Sequence, residues 1–84
     1  MKLLPNHIRA LLEIARRGGR IRSMELSRAL GSTSSAYTSL QKLMLEGLVT
    51  KEGKEYVLTD QGWRFLLEVR NELLRIVNEI PVKT

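Results

Sequence analysis

Eighty-four residues, 43% hydrophobic and 27% charged, fit one ordinary globular domain and leave no room for a second. The absence of cysteine excludes disulfides and thiolate metal sites, and no apolar run approaches the roughly 20 residues needed to span a bilayer. The net charge of +5 is unevenly placed: residues 1–54 carry ten Lys/Arg against four Asp/Glu, and residues 55–84 carry four against five. A basic two-thirds and a near-neutral remainder predict that one part meets a polyanion while the other has a different task. Met1-Lys2-Leu3-Leu4, interrupted at once by Pro5 and Asn6, does not read as a secretory leader, so the expected location is cytoplasmic.

The first helix is predicted from Pro5 or Asn6 to Arg17. Ile8, Leu11, Leu12 and Ala15 recur at i, i+3, i+4 and i+7 as its apolar face. Arg16 and Arg17 suit its C-terminal dipole, and Gly18-Gly19 end it. Arg20-Ile21-Arg22 reads as a short extended piece with Ile21 turned inward. Ser23 is the expected N-cap of a second helix with Glu25 in its first turn, Leu26, Ala29 and Leu30 as its apolar face, and Gly31 as its stop. Gly31-Ser32-Thr33 is a tight turn whose hydroxyls cap a third helix, predicted over Ser34–Glu46. Ala36, Leu40 and Leu43 mark the buried stripe of that helix, and Met44 its margin. Two helices joined in this way form a helix-turn-helix arrangement.

Val49–Lys51 and Tyr56–Leu58 are β-favouring runs around Gly53-Lys54, and glycine in the first central position suits a type II′ turn. Glu52 then faces Glu55, Lys51 faces Tyr56, and Val49 faces Leu58. An isolated hairpin is marginal in water, so this one should lie on the helices through Leu48 and Leu58. The predicted class is mainly α with a small β-hairpin, in the order α-β-α-α-β-β over residues 1–60. That order is the winged helix-turn-helix order, with the hairpin as the wing.

Within the same single domain, residues 61–84 supply a long C-terminal helix, capped by Thr59, carrying Asp60 in its first turn, and ended near Ile80 by Pro81. At 1.5 Å per residue it is roughly 30 Å long. Its apolar residues span an arc of about 200°, twice the stripe a surface helix normally buries. Trp63 and Leu67 should pack beneath their own helices. Leu66, Val69, Leu73, Leu74, Ile76, Val77 and Ile80 should meet a second copy, with Arg70 bonding Glu72 or Glu79 across the interface.

"ALGSTSSAYTSLQKLMLEGLV" from Ala29 to Val49, followed by "YVLTDQG" from Tyr56 to Gly62, resembles the winged helix-turn-helix domains of MarR- and PadR-type transcriptional regulators. It is also similar to small archaeal DNA-binding proteins made of a winged helix plus one dimerising helix. The likeness covers about residues 6–66, and it implies that Ser34–Glu46 is the recognition helix and the Gly53-Lys54 tip the wing. Many relatives carry arginine on the exposed face of that helix, where this chain has Thr38 and Gln41 with Lys42 as the only charge.

Turned at 100° per residue, the third helix presents Ser34, Ser35, Thr38, Gln41, Lys42 and Leu45 opposite its apolar stripe, with Tyr37 on the flank. Gln can pair with adenine in the major groove, and Ser or Thr can bond a base or a phosphate. Lys42, Lys51, Lys54, Arg20, Arg22 and Arg28 are the expected phosphate contacts, with Arg16 and Arg17 serving either a phosphate or their own helix end. His7 is the only histidine, the carboxylates are scattered singly, and Gly18-Gly19 lacks a phosphate-loop continuation, so no enzyme, metal or cofactor is expected. The leading expectation is a homodimer that binds double-stranded DNA as a transcriptional regulator. An architectural DNA binder of low sequence preference and a winged-helix protein-interaction module are the alternatives.

Overall fold

The computed structural model describes residue 3 and residues 5–81 of the chain. Residues 1, 2 and 4, on which the reading of the leader rested, and residues 82–84 of the C-terminal segment lie outside the described residues. The chain folds as α1 (Pro5–Arg16), β1 (Arg20–Arg22), α2 (Ser23–Leu30), α3 (Thr33–Leu45), β2 (Val49–Glu52), β3 (Glu55–Leu58) and α4 (Asp60–Glu79). The result is a mainly helical fold with one small antiparallel sheet in the order β1-β3-β2. No helix among the described residues is long and apolar enough to cross a membrane.

The first three helices enclose the core. Leu11 and Ile14 of α1, Leu26 of α2, and Leu40 and Leu43 of α3 are fully buried against Ile21, Leu48 and the inner side of the sheet. α1 is rotated from its predicted face: it buries His7, Ala10, Leu11 and Ile14, while Ile8 is half-buried and Leu12 is exposed. The cause is geometric. An apolar arc that includes Ile14 and Ala10 is wider than one partner can cover, so its centre faces α2 and α3 and its edge, Ile8-Leu12-Ala15, turns toward α4.

Two starts and one face in the helix-turn-helix segment also differ from expectation. Arg22, not Ser23, occupies the N-cap of α2, because β1 runs into the helix with no spacer. Its backbone N–H donates to Glu25 at 2.9 Å. Ala29 is exposed, since Leu26 and Leu30 already cover the core side. α3 begins one residue early because Ser32 caps it, its Oγ accepting from the Ser35 N–H at 3.2 Å. Ser39, polar and absent from the predicted stripe, is buried beside Leu40 and Leu43.

The hairpin has the predicted register, with Val49 opposite Leu58, Lys51 opposite Tyr56 and Glu52 opposite Glu55. Gly53 has φ +61° and no other residue of the turn is left-handed, which is the pattern of a type II′ turn. The hairpin lies on the helices through Leu48 and Leu58, both buried, as expected, and it has a second support that the sequence did not reveal. The extended piece before α2 is a third strand, Ile21 pairing with Tyr56 and Arg20 with Val57. Three strands on a hydrophobic face are the minimum for an independently stable sheet.

α4 is joined to this body by a knot of backbone contacts. Thr59 Oγ1 donates to the Gly47 carbonyl at 2.7 Å and accepts the Gly62 N–H at 3.0 Å. The Thr59 N–H donates to the Leu48 carbonyl at 3.1 Å, and Gln61 Nε2 to the Glu46 carbonyl at 3.4 Å. Gly62 lies so close to Leu48, just before β2, that an added Cβ would sit 2.2 Å from the Leu48 oxygen. Beyond Val69 the helix leaves the body: every residue from Arg70 to Pro81 is exposed. The radius of gyration is accordingly 14.0 Å, with extents of 48 × 26 × 23 Å, against ~12 Å for a compact chain of this length.

Exposed charge ties α1 to α2. Glu13 holds both Arg16 and Arg17, and Arg17 Nη1 reaches on to Glu25 at 3.1 Å. The hydrogen bonds from Arg16 and then Arg17 lower the Glu13 pKa from 4.5 to about 2.

Gly62→Ala is expected to lower stability by about 2 kcal/mol through overpacking, read as a fall of roughly 10 °C in the thermal midpoint. Glu13 has a folded pKa below its unfolded one, so its contribution is complete above pH 4.5 and fades as pH falls toward 2. An NMR titration of its side-chain carbonyl should show a midpoint near 2, moving upward in Arg16→Gln.

Candidate nucleic-acid interface

α3 is seated by Ala36, Ser39, Leu40 and Leu43, all buried. At 100° per residue the direction opposite that stripe is occupied by Ser34, Thr38, Gln41 and Leu45, one ridge along the helix. All four are exposed, Leu45 at 81%, and Tyr37 on the flank is 62% exposed. Ser35 is half-buried at the helix start, and Ser34 Oγ lies 3.1 Å from the capping Ser32 Oγ. Lys42 sits on the other flank with its Nζ 3.0 Å from Glu46. The ridge therefore offers hydroxyls, one carboxamide and one aliphatic side chain, and no unpaired charge.

The sheet sorts its charges by face. Side chains alternate along a strand, so Ile21, Tyr56, Leu58, Val49 and Lys51 share the inner side, while Arg20, Arg22, Thr50, Glu52, Glu55 and Val57 share the outer. Arg20 spans the outer face, its guanidinium 3.3 Å from Glu52 and 3.4 Å from Glu55. This explains how two carboxylates directly opposite each other, ordinarily repulsive, are tolerated in the hairpin. Lys51 projects from the inner side over the Tyr56 ring, 5.5 Å from its centroid. Arg22, Ser23, Met24, Lys51, Gly53, Lys54 and Tyr56 line one cleft between the start of α2 and the hairpin tip.

The cations singled out in the sequence thus divide into two groups. Arg16, Arg17, Arg20 and Lys42 each hold a carboxylate of their own chain. Arg22, Arg28, Lys51 and Lys54 form no ion pair among the described residues. Three of these four meet in the hairpin cleft, where an anion would bring no loss of an existing pair. Exposed ion pairs are weak, so the first group can still turn toward a strong polyanion, at the cost of its present partner.

Sequence reasoning missed a polar cleft in which Asn6 and His7 of α1 meet Ser34, Ser35, Thr38 and Ser39 of α3. Nothing local signals it, because it arises where α1 crosses α3. Nor did the charge pattern reveal the role of Arg20. That follows only once β1 is known to pair with β3.

A second surface is apolar. α1 and α4 frame an open groove of about 600 Å³ lined by Ile8, Leu12 and Ala15 on one side and Trp63, Leu66, Leu67, Val69, Arg70, Leu73, Leu74 and Val77 on the other. Leu66 is half-buried against the core and Val69 is half-buried, whereas Leu73, Leu74, Ile76, Val77 and Ile80 are exposed. Trp63 and Leu67 do not pack beneath their own helices as expected: they are 44% and 53% exposed. The close approach of Gly62 to Leu48 sets the rotation of α4, so Phe65 and Leu66 face inward instead. Trp63 only leans across the rim, where its Cζ2 would lie 2.7 Å from a Cβ placed on Gly19. Arg70 is exposed, and within the same chain Glu72 and Glu79 are both held by Arg75. Neither a protein-family model nor a curated protein matches the chain.

Proposed function

We propose that this is a winged helix-turn-helix protein that binds double-stranded DNA as a homodimer and regulates transcription. α3 is the recognition helix in this reading, and the β2–β3 hairpin is the wing. One observation carries it: α3 turns an unobstructed polar ridge to solvent while unpaired Arg22, Lys51 and Lys54 gather in the hairpin cleft. A helix of this kind fits the major groove, and cations beside it neutralise the flanking phosphates. The element order, with β1 joined to the hairpin as a third strand, supports the fold assignment.

Pairing is supported by α4. A run of exposed aliphatic residues continuous with an apolar groove marks an interaction surface rather than ordinary solvent-facing helix. A two-fold dimer formed there would present two recognition helices to half-sites about one helical turn, ~34–36 Å, apart. The single cation on α3, already engaged by Glu46, favours a second reading: an architectural binder that relies on phosphates more than on bases.

Lys54→Ala and Arg22→Ala should each weaken binding to every duplex severalfold and reduce the log–log salt slope by ~0.9 per lost phosphate contact. Arg16→Ala should change affinity much less. These are read by fluorescence anisotropy across a salt series, and a wild type that binds no duplex would sink the proposal in favour of a protein partner. Competition between a selected site and random duplex separates regulator from architectural binder. In sedimentation the wild type should run at twice the 9.6 kDa chain mass, and Leu73→Asp/Val77→Asp at the single-chain mass.

A further inference from the structure

We infer that α3 reads A·T base pairs, recognising thymine by its methyl group and adenine by Gln41, with no provision for guanine. This rests on the DNA-binding reading above and specifies what that surface recognises.

The commonest specific contact to guanine is a bidentate Arg or Lys on O6 and N7. α3 carries one cation in thirteen residues, Lys42, on the flank of the helix and 3.0 Å from Glu46. The outward ridge Ser34–Thr38–Gln41–Leu45 has none. What it does carry matches the other base pair. A carboxamide pairs with the N6 and N7 edge of adenine, and apolar groups, the threonine methyl included, fit against the C5 methyl of thymine.

Leu45 is the key residue. It is 81% exposed, the most open of the large exposed hydrophobic residues, and it contributes neither to the core nor to the α1–α4 groove. Neither folding nor the proposed pairing surface accounts for it. Gln41 and Leu45 are four residues apart, so they lie about 6 Å apart along the helix axis, close to two base steps of ~3.4 Å. One ridge can therefore set a carboxamide on adenine and an aliphatic side chain on a nearby thymine methyl. Tyr37, 62% exposed on the flank, adds a second apolar surface beside Gln41.

The test begins with selection of duplexes from a pool with a random core by the wild-type protein. The selected duplex is then compared with the same duplex carrying uracil in place of thymine, which removes only the C5 methyl groups. The selected core should be A·T-rich, and uracil should weaken wild-type binding by about three- to fivefold per contacted methyl, from the transfer value of one buried carbon. Leu45→Ala, at a site too exposed to disturb folding, should bind more weakly and respond less to the uracil exchange. Gln41→Ala should lose the preference for adenine while keeping the thymine effect. Salt-sensitive binding with a G·C-rich core, with no preferred core, or with no response to uracil would overturn this inference and leave DNA binding standing. Failure to bind any duplex would remove both.

Discussion

The structure depends on the junction where Thr59 meets the end of α3. One hydroxyl donates to the Gly47 carbonyl and accepts the Gly62 amide, so a single side chain serves the stop of one helix and the start of another. The Thr59 amide on Leu48 and the Gln61 carboxamide on Glu46 complete the join. Gly62 lets the two backbones close to a distance that no other residue permits. Three directions are fixed at once: where α3 ends, where the hairpin departs and how α4 is rotated. The Glu46-Gly47-Leu48-Val49 and Leu58-Thr59-Asp60-Gln61-Gly62 segments therefore have a structural reason to occur together, whatever the protein binds.

Charge is arranged with comparable economy. A small basic domain could scatter its arginines over the surface, yet several are held by carboxylates of neighbouring elements. Arg17 links α1 to α2, and Arg20 relieves two opposed glutamates on the outer face of the sheet. The unpaired cations lie mainly at the hairpin cleft, where Arg22, Lys51 and Lys54 meet at the edge of the sheet beside the start of α2. The net charge understates this asymmetry, because it counts paired and unpaired groups alike.

Much of this was legible in the sequence wherever a short-range rule decided the outcome. Gly53-Lys54 set the turn and hence the hairpin register, and Ala36, Leu40 and Leu43 seated α3 by their period alone. Thr59 capped α4 as its residue type predicts. What escaped was decided by distant partners. Three residues around Ile21 cannot announce that they will pair with β3, and without that pairing Arg20 reads as a loose cation. The face of α1 was misplaced because its broad apolar arc serves two neighbours. Trp63 and Leu67 were misplaced because a contact at Gly62, not hydrophobicity, sets the rotation of α4.

The outer half of α4 has a consequence of its own. From Arg70 onward its residues are all open to solvent, and a helix of so few turns is marginal when nothing supports it. Under the proposed pairing, coiling of that segment and capture of a second chain become one equilibrium. Its helix content then rises with protein concentration, so a cell making little of this chain holds single copies with frayed ends, and one making more holds complete pairs.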